Sequence, residues 1–202
     1  DLMTNTYITC VCEHDKKLDE FGKLSMWRGY GAETGVAFVI NPESLFQEHQ
    51  DAIYATTYPT HYFTEQEVRA LFLAVEKKVK NNLEILKNLD EKRLISWVFD
   101  LLESLAIGLK HPGFGEEKEW RLVHRPMSIG ARKDVKHKFI CLNGVAQKVY
   151  ELPLENISNN SKACFDLNTI IDHIIIGPTD QKQVMQEAFV EALNEAGVKN
   201  SQ

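Results

Sequence analysis

Two consecutive amphipathic segments occupy the middle of the chain and constrain its fold more than any other feature. Apolar residues recur every three to four positions over 68–86, and a second stripe of this kind runs over 94–109. This spacing predicts two helices, each with one apolar face. Only a short polar break around Asp90 separates them. Residues 64–109 are therefore predicted to form an antiparallel helical hairpin.

The start and the packing of this hairpin can also be predicted. Thr64 and Glu67 have the spacing of a capping box, in which each side chain satisfies a free backbone N–H of the first helical turn. A helix should therefore begin after Thr64. We expect the two apolar stripes to bury each other, and the residues predicted to be buried are Val68, Leu71, Phe72, Val75, Trp97, Leu101 and Leu105.

Strand patterns flank the hairpin on both sides. Alternating, β-branched runs at 7–12, 35–40 and 119–123 predict strands, and Asn143-Gly144 predicts a β-hairpin. A buried strand at 170–176 leads into a last helix. Regular strand and helix alternation is missing from the middle, which disfavours a doubly wound parallel sheet. The prediction is an α+β fold: a mixed or antiparallel sheet with the helical hairpin and a C-terminal helix packed on it.

Composition limits the class of protein. A chain of 202 residues, 44% hydrophobic and 26% charged, suits a single globular domain over 1–202. No segment is apolar enough to cross a membrane, and a net charge of −6 disfavours a broad nucleic-acid surface. Four irregularly spaced cysteines predict buried thiols and a cytoplasmic location. Because the chain starts at Asp1 without Met and soon enters a strand, we expect it to be N-terminally incomplete.

The first candidate site is the aromatic and glycine-rich run at 24–31. Trp27 and Tyr30 could stack on a planar ring while Arg28 pairs with an anion, and the neighbouring glycines would let a ligand approach the backbone. The alternative is a Trp packed in the core with a glycine-rich turn after it. Both interpretations place this run in a loop between two strands.

The second candidate site is the acidic run at 116–121. Strand alternation puts Glu117, Glu119 and Arg121 on one face, where a carboxylate could act as a general base or bind a ribose hydroxyl. The alternative is a solvated acidic loop in which Glu119 and Arg121 form an ordinary ion pair.

A metal site is the weakest of the three candidates. Cys10, Cys12 and His14 offer soft ligands, and both sulfurs would lie on one face of a strand. No second pair of ligands follows at a suitable spacing, so the sequence favours free thiols and predicts no metal.

The two motifs and the strands beside them also resemble a bacterial family known only as a domain of unknown function. Its members look like "L-M-W-x-x-Y-A … G-F-x-I … E-K-E-W-R … I-x-L-G", in the order and spacing found here from Tyr7 to about Gly197. This sequence departs from the pattern at Arg28 and Gly31, which leaves a specific role for Arg28 open. The portion that usually precedes these motifs in the family is not part of this sequence.

A further resemblance, in arrangement alone, is to ADP-ribosyltransferases. It implies that Trp27, Arg28, Tyr30 and Arg121 bind a ligand and that Glu117 and Glu119 are catalytic, with NAD as a substrate. The protein would then be an NAD-consuming effector or toxin, for instance in phage defence. The alternative is a noncatalytic module that binds a nucleotide or a partner protein. Under either hypothesis, Trp27, Tyr30, Glu119 and Arg121 are expected to share one cavity.

Overall fold

A computed structural model describes residues 5–31, 34–43, 55–126, 135–142, 144–151 and 167–198. Helices and small, mainly antiparallel sheets make up this part of the chain, which confirms the α+β class. The strands are β1 (Tyr7–Cys12), β2 (Val36–Ile40), β3 (Thr56–Pro59), β4 (His61–Tyr62), β5 (Leu109–Lys110), β6 (Glu119–His124), β7 (His137–Leu142), β8 (Val145–Tyr150) and β9 (Ile171–Ile176). The helices are α1 (Leu24–Tyr30), α2 (Glu65–Asn81), α3 (Leu83–Lys87), α4 (Glu91–Gly108), α5 (Leu167–Ile170) and α6 (Lys182–Glu195), with two short 3-10 helices at Lys16–Leu18 and Pro112–Glu117.

The chain divides into two compact units, each built from separate stretches of sequence. The first comprises residues 1–13 and 56–127, and the second comprises residues 14–55 and 128–202. Within the described residues, the strands form four small sheets rather than the single sheet predicted. That the whole chain behaves as one domain stays a prediction.

The first unit is organised around β6. Strand β1 pairs antiparallel with one side of β6 and β3 pairs antiparallel with the other, so that Cys10 and Tyr58 both lie opposite Arg121. Leu122 and Val123 of β6 are almost completely buried. The C-terminal end of α4 approaches this sheet, since a Cβ atom at Gly108 would lie 3.5 Å from the carbonyl oxygen of Pro59. The central strand of this unit therefore also carries the predicted E-x-E motif.

The capping box that starts α2 is confirmed. The Glu67 carboxylate accepts hydrogen bonds from the Thr64 backbone N–H and hydroxyl, both at 2.7 Å. The Glu67 N–H donates to the Thr64 hydroxyl at 3.3 Å. Helix α4 begins similarly, because the Asp90 side chain accepts from the Arg93 N–H. Local sequence signals thus fix where both central helices begin.

The predicted burial of the helical hairpin is wrong. None of its seven expected residues is buried: Val68, Leu71, Val75 and Leu105 are half-buried. Trp97, Phe72 and Leu101 are 56%, 45% and 41% exposed. The buried residues of α4 are instead Glu103, Ile107 and Gly108, near its C-terminal end. The helices follow the predicted periodicity, but their apolar stripes do not bury each other.

The second unit pairs β2 antiparallel with β9, where Ile175 is buried. Phe38 of β2 and Phe189 of α6 meet edge to face, with ring centroids 6.2 Å apart. The sequence also predicts that Gly197 stops the last helix, and α6 ends at Glu195 with Gly197 just beyond it at a φ of 77°. The apolar pattern of this helix predicts that Val184 faces inward, but Val184 is exposed.

The predicted β-hairpin is confirmed: β7 and β8 pair antiparallel, and Gly144 at the turn between them has a φ of 78°. The sequence also predicts a strand that stops before Pro59, but Pro59 is the last residue of β3 and lies opposite Trp120. A short helix is predicted around Leu45 and Phe46, which lie outside the described residues. No helix in the described part of the chain is long and apolar enough to span a membrane.

Candidate functional site

The acidic motif is held in place by an unusual backbone conformation. Glu117 ends a 3-10 helix and Glu119 starts β6, and Lys118 between them adopts a left-handed conformation with φ 45° and ψ 55°. Lys118 is the only described non-glycine residue with positive φ. Such conformations cost about 1–3 kcal/mol and persist where the surroundings enforce them. The enforced turn allows both flanking carboxylates to reach the same lysine.

That lysine is Lys110, at the end of β5. Its Nζ donates to Glu117 Oε2 and lies 2.5 Å from Glu119 Oε2. Both glutamates are buried, and the Lys110 side chain is 20% exposed. The Lys110 ammonium also lies 5.0 Å from the centroid of the exposed Phe114 ring. The lysine is therefore the most accessible charged group of this cluster.

Arg121 completes the cluster from two residues further along β6. Its Nε donates to Glu119 Oε1 at 2.8 Å, and its Nη1 donates to the backbone carbonyl of Ile107 in α4. The hydroxyl of Tyr62 accepts a hydrogen bond from the Glu119 backbone N–H at 2.8 Å. We call Lys110, Glu117, Glu119 and Arg121 the charged cluster, and it ties together β5, β6 and the C-terminal end of α4.

The environment keeps Glu119 ionised. Burial alone would raise its pKa, but hydrogen bonds from Arg121, Cys10 and Lys110 outweigh burial and lower the pKa to about 2. Burial likewise opposes the charge of Lys110, yet its two glutamate partners raise the Lys110 pKa above its ordinary value. Glu119 is thus an anion and Lys110 a cation throughout the physiological pH range.

This geometry restricts what Glu119 can do chemically. A general base needs a pKa near the working pH, which a carboxyl group with a pKa of about 2 does not have. Each Glu119 oxygen already accepts a hydrogen bond, and the residue is only 3% exposed. The acidic run is also not the solvated loop considered as the alternative. Glu117 and Glu119 of this run belong to a buried ionic network that joins elements of the first unit.

The aromatic motif lies in a helix rather than in the predicted loop. Residues 24–30 form α1, and Trp27 is half-buried with its Nε1 donating to the Phe21 carbonyl at 2.7 Å. Arg28 and Tyr30 are exposed. The run at 24–31 contains only two glycines, so it can still form about two turns of helix while the Trp27 side chain is packed.

Four glycines surround the Trp27 indole. A Cβ atom would lie 2.6 Å from Trp27 Cζ2 if placed on Gly22, and 3.0–3.3 Å from Cε3 if placed on Gly31, Gly35 or Gly177. The glycines thus let the backbone approach the indole ring. This contact supports the interpretation of Trp27 as a packed residue, in which its own chain occupies the space that a stacked ligand would need.

The expected shared cavity remains a prediction. Trp27 and Tyr30 belong to the second unit, whereas Glu119 and Arg121 belong to the first. Within the first unit, the structure does bring Glu117, Glu119 and Arg121 together. Strand alternation accounts for Glu119 and Arg121, whereas Glu117 lies in the 3-10 helix before β6 and joins them through the left-handed turn at Lys118.

Sequence reasoning missed Lys110 and Tyr62. Neither belongs to a recognisable motif, and each lies outside the acidic run in sequence. The parallel pairing of β4 with β5 sets Tyr62 opposite Lys110. A charge-balance argument could have found the lysine, because two buried carboxylates need more than one cation to neutralise them.

The cysteines differ from their predicted burial. Cys10 and Cys141 are exposed, and Cys12 is half-buried. Although Cys10 is exposed as a residue, desolvation of its thiol and a hydrogen bond to Glu119 raise its pKa to about 12. A protonated thiol is a poor metal ligand, so this environment does not favour the zinc site considered for Cys10 and Cys12.

Part of this chain matches a protein family of unknown function. Residues 26–122, which include most of the aromatic run and all of the acidic run, match a family described as "Protein of unknown function (DUF2971)". No curated protein and no solved structure matches the chain. The match supports the predicted resemblance to a domain of unknown function, and it does not assign an activity.

Proposed function

We propose that this chain is a noncatalytic module that binds a partner protein through the exposed apolar face of α4. The observation that carries this proposal is a run of six large apolar residues on that helix, each between 41% and 61% exposed. They are Ile95, Trp97, Val98, Phe99, Leu101 and Leu102, which we call the α4 face.

The composition of the α4 face indicates the chemistry of its partner. Asp100 is the only charged residue between Leu94 and Leu102. A broad apolar helix face of this kind is normally covered, and exposed apolar patches often mark protein interaction sites. Because the chain carries a net charge of −6, a nucleic acid is a poor occupant. The partner is therefore a protein with an apolar, uncharged surface.

Site-specific photocrosslinking in cells can test this proposal. A photoreactive amino acid at position 98 of the full-length protein should give a discrete adduct with one partner. The matched control carries the same amino acid at position 100, because Asp100 is exposed but lies on the other side of the same helix. Equal labelling at both positions, or none at position 98, would contradict the proposal.

A second candidate function is ADP-ribosyl transfer from NAD, in a bacterial cytoplasmic effector or toxin such as a phage-defence protein. The observation in its favour is the permanent negative charge of Glu119, since a carboxylate can stabilise a cationic ribose in the transition state. The burial of Glu119 and its two ion pairs weigh against it, because NAD would have to displace Lys110 or Arg121.

Nicotinamide release separates the two functions. The binding module predicts that the full-length protein, incubated with NAD alone or with cell extract, releases no nicotinamide above the buffer control. Release measured by chromatography would instead support the transferase. Loss of that release in a folded Glu119→Gln protein would then assign the role to Glu119, and unchanged release would remove Glu119 from the mechanism.

A further inference from the structure

A second group of chemically capable side chains lies in the second unit and belongs to neither motif. His14 follows β1, Asp19 follows the 3-10 helix at Lys16–Leu18, and His173 is in β9. One nitrogen or oxygen atom from each of these residues lies within 4.8 Å of the others. Two imidazoles and one carboxylate are a donor set that binds first-row transition metals in proteins.

The three donors lie close enough together to share one ion after a small rearrangement. His14 Nε2 lies 2.5 Å from Asp19 Oδ1, within hydrogen-bond reach. His173 Nε2 lies 3.6 Å from the same oxygen, which is too long for a hydrogen bond. Ligands of a tetrahedral zinc ion, with bonds of about 2.0–2.1 Å, lie roughly 3.3 Å apart. The His173–Asp19 separation is thus close to the spacing of two ligands of one ion, whereas the His14–Asp19 separation would have to lengthen by less than an ångström.

The orientation of His173 is the independent observation. Its Nδ1 lies 2.9 Å from Asp172 Oδ2, so the proton of the neutral ring is held on Nδ1 and the lone pair is on Nε2. Metal-binding histidines are typically oriented by a carboxylate in this way. His173 Nε2 is itself buried and has no hydrogen-bond partner in the described part of the chain.

A cation would suit the environment of that nitrogen. In the tautomer that Asp172 favours, the Nε2 lone pair and the Asp19 carboxylate are two acceptors 3.6 Å apart with no proton between them. Asp19 is exposed, but Nε2 is buried, so this acceptor is shielded from water that could donate to it. A positive ion between the three residues would satisfy both acceptors at once.

We propose that His14, Asp19 and His173 bind one divalent transition-metal ion, with Asp172 positioning His173. Three protein ligands leave at least one coordination position for water or another ligand. Of the three donors considered from the sequence, His14 belongs to this set and the Cys10 and Cys12 thiols do not.

Zinc titration of the full-length protein tests the site. After chelator treatment, calorimetry with Zn²⁺ should show one ion bound per chain. Asp19→Asn and His173→Gln should each lower the affinity at least tenfold, and Asp172→Asn should lower it about 10–100-fold through loss of ring orientation. His137→Gln, which changes an exposed histidine of β7, is the control and should bind as the wild type does.

Cobalt identifies the ligands directly. Co²⁺ bound by two histidines and a carboxylate should give visible absorption without the intense near-ultraviolet band of a cobalt–thiolate bond, and Cys10→Ser with Cys12→Ser should leave the spectrum unchanged. A thiolate band lost in the cysteine variant, an undiminished zinc affinity in Asp19→Asn, or no binding by the wild type would each overturn the proposal. Circular dichroism checks folding, and the conservative Asp19→Asn change is at an exposed position.

Discussion

Replacement of Glu119 by Gln is expected to lower the free energy of unfolding by about 3 kcal/mol. The amide keeps the shape of the side chain but removes the negative charge that Lys110 and Arg121 share. Two cations would then remain in a largely buried cluster with only Glu117 to neutralise them. Removing one member of a buried ionic network lowers the free energy of unfolding because the remaining charges stay buried without a partner.

Urea denaturation at neutral pH measures this loss, and the same acidic run provides the control. Glu116 is exposed, so Glu116→Gln should change the unfolding free energy by only about 0–1 kcal/mol. Equal effects of the two substitutions would mean that the charged cluster contributes no more to stability than a surface ion pair does.

The pKa of Glu119 also predicts how this stability depends on pH. Its pKa is about 2 in the folded chain, against an ordinary value of 4.5. Because the folded pKa is the lower one, the contribution is complete above pH 4.5 and is lost as the pH falls toward 2. The stability difference between wild type and Glu119→Gln should therefore shrink across this window. A difference that stayed constant would contradict the pKa assignment.

Replacement of Gly22 by Ala should be similarly damaging to the second unit. Gly22 has a φ of 67°, and a Cβ atom there would lie 2.6 Å from Trp27 Cζ2. The left-handed backbone costs an alanine about 1–2 kcal/mol, and overpacking costs about 1–3 kcal/mol more. We therefore expect a loss of about 3 kcal/mol in the free energy of unfolding.

Gly29→Ala is the matched control, because Gly29 lies in α1 and a Cβ atom there would meet nothing within 4 Å. Alanine should stabilise this helix by about 0.5–1 kcal/mol. Denaturation gives both values, and the NMR signal of the Trp27 indole N–H, which donates to Phe21, reports the local change. A shift of that signal in Gly29→Ala but not in Gly22→Ala would contradict the assigned packing.

Local sequence signals predicted the parts of the fold that depend only on neighbouring residues. The capping box at Thr64, the turn at Gly144 and the helix end at Gly197 each depend on a few neighbouring residues. Strand alternation likewise placed Glu119 and Arg121 on one face of β6. These features do not depend on contacts with residues distant in sequence.

The remaining features depend on partners that spacing along the chain does not reveal. An apolar stripe predicts that a helix will be covered, but it does not say by what, and so the exposure of Trp97 was missed. The run at 24–31 looked like a loop because the four glycines that accommodate the Trp27 indole come from three separate stretches of sequence. His14 and His173 are likewise distant in sequence and meet only through the fold.

The pairing of β1 with β6 has a consequence for the newly made chain. Tyr7 pairs with His124, so the first strand of the sheet leaves the ribosome more than a hundred residues before its partner. At about 5–20 residues per second, β1 waits roughly 6–23 s with its edge unpaired. Unpaired strand edges invite association between chains, so β1 is prone to pairing with another chain during this interval. Slower translation should lengthen the interval and lower the soluble yield.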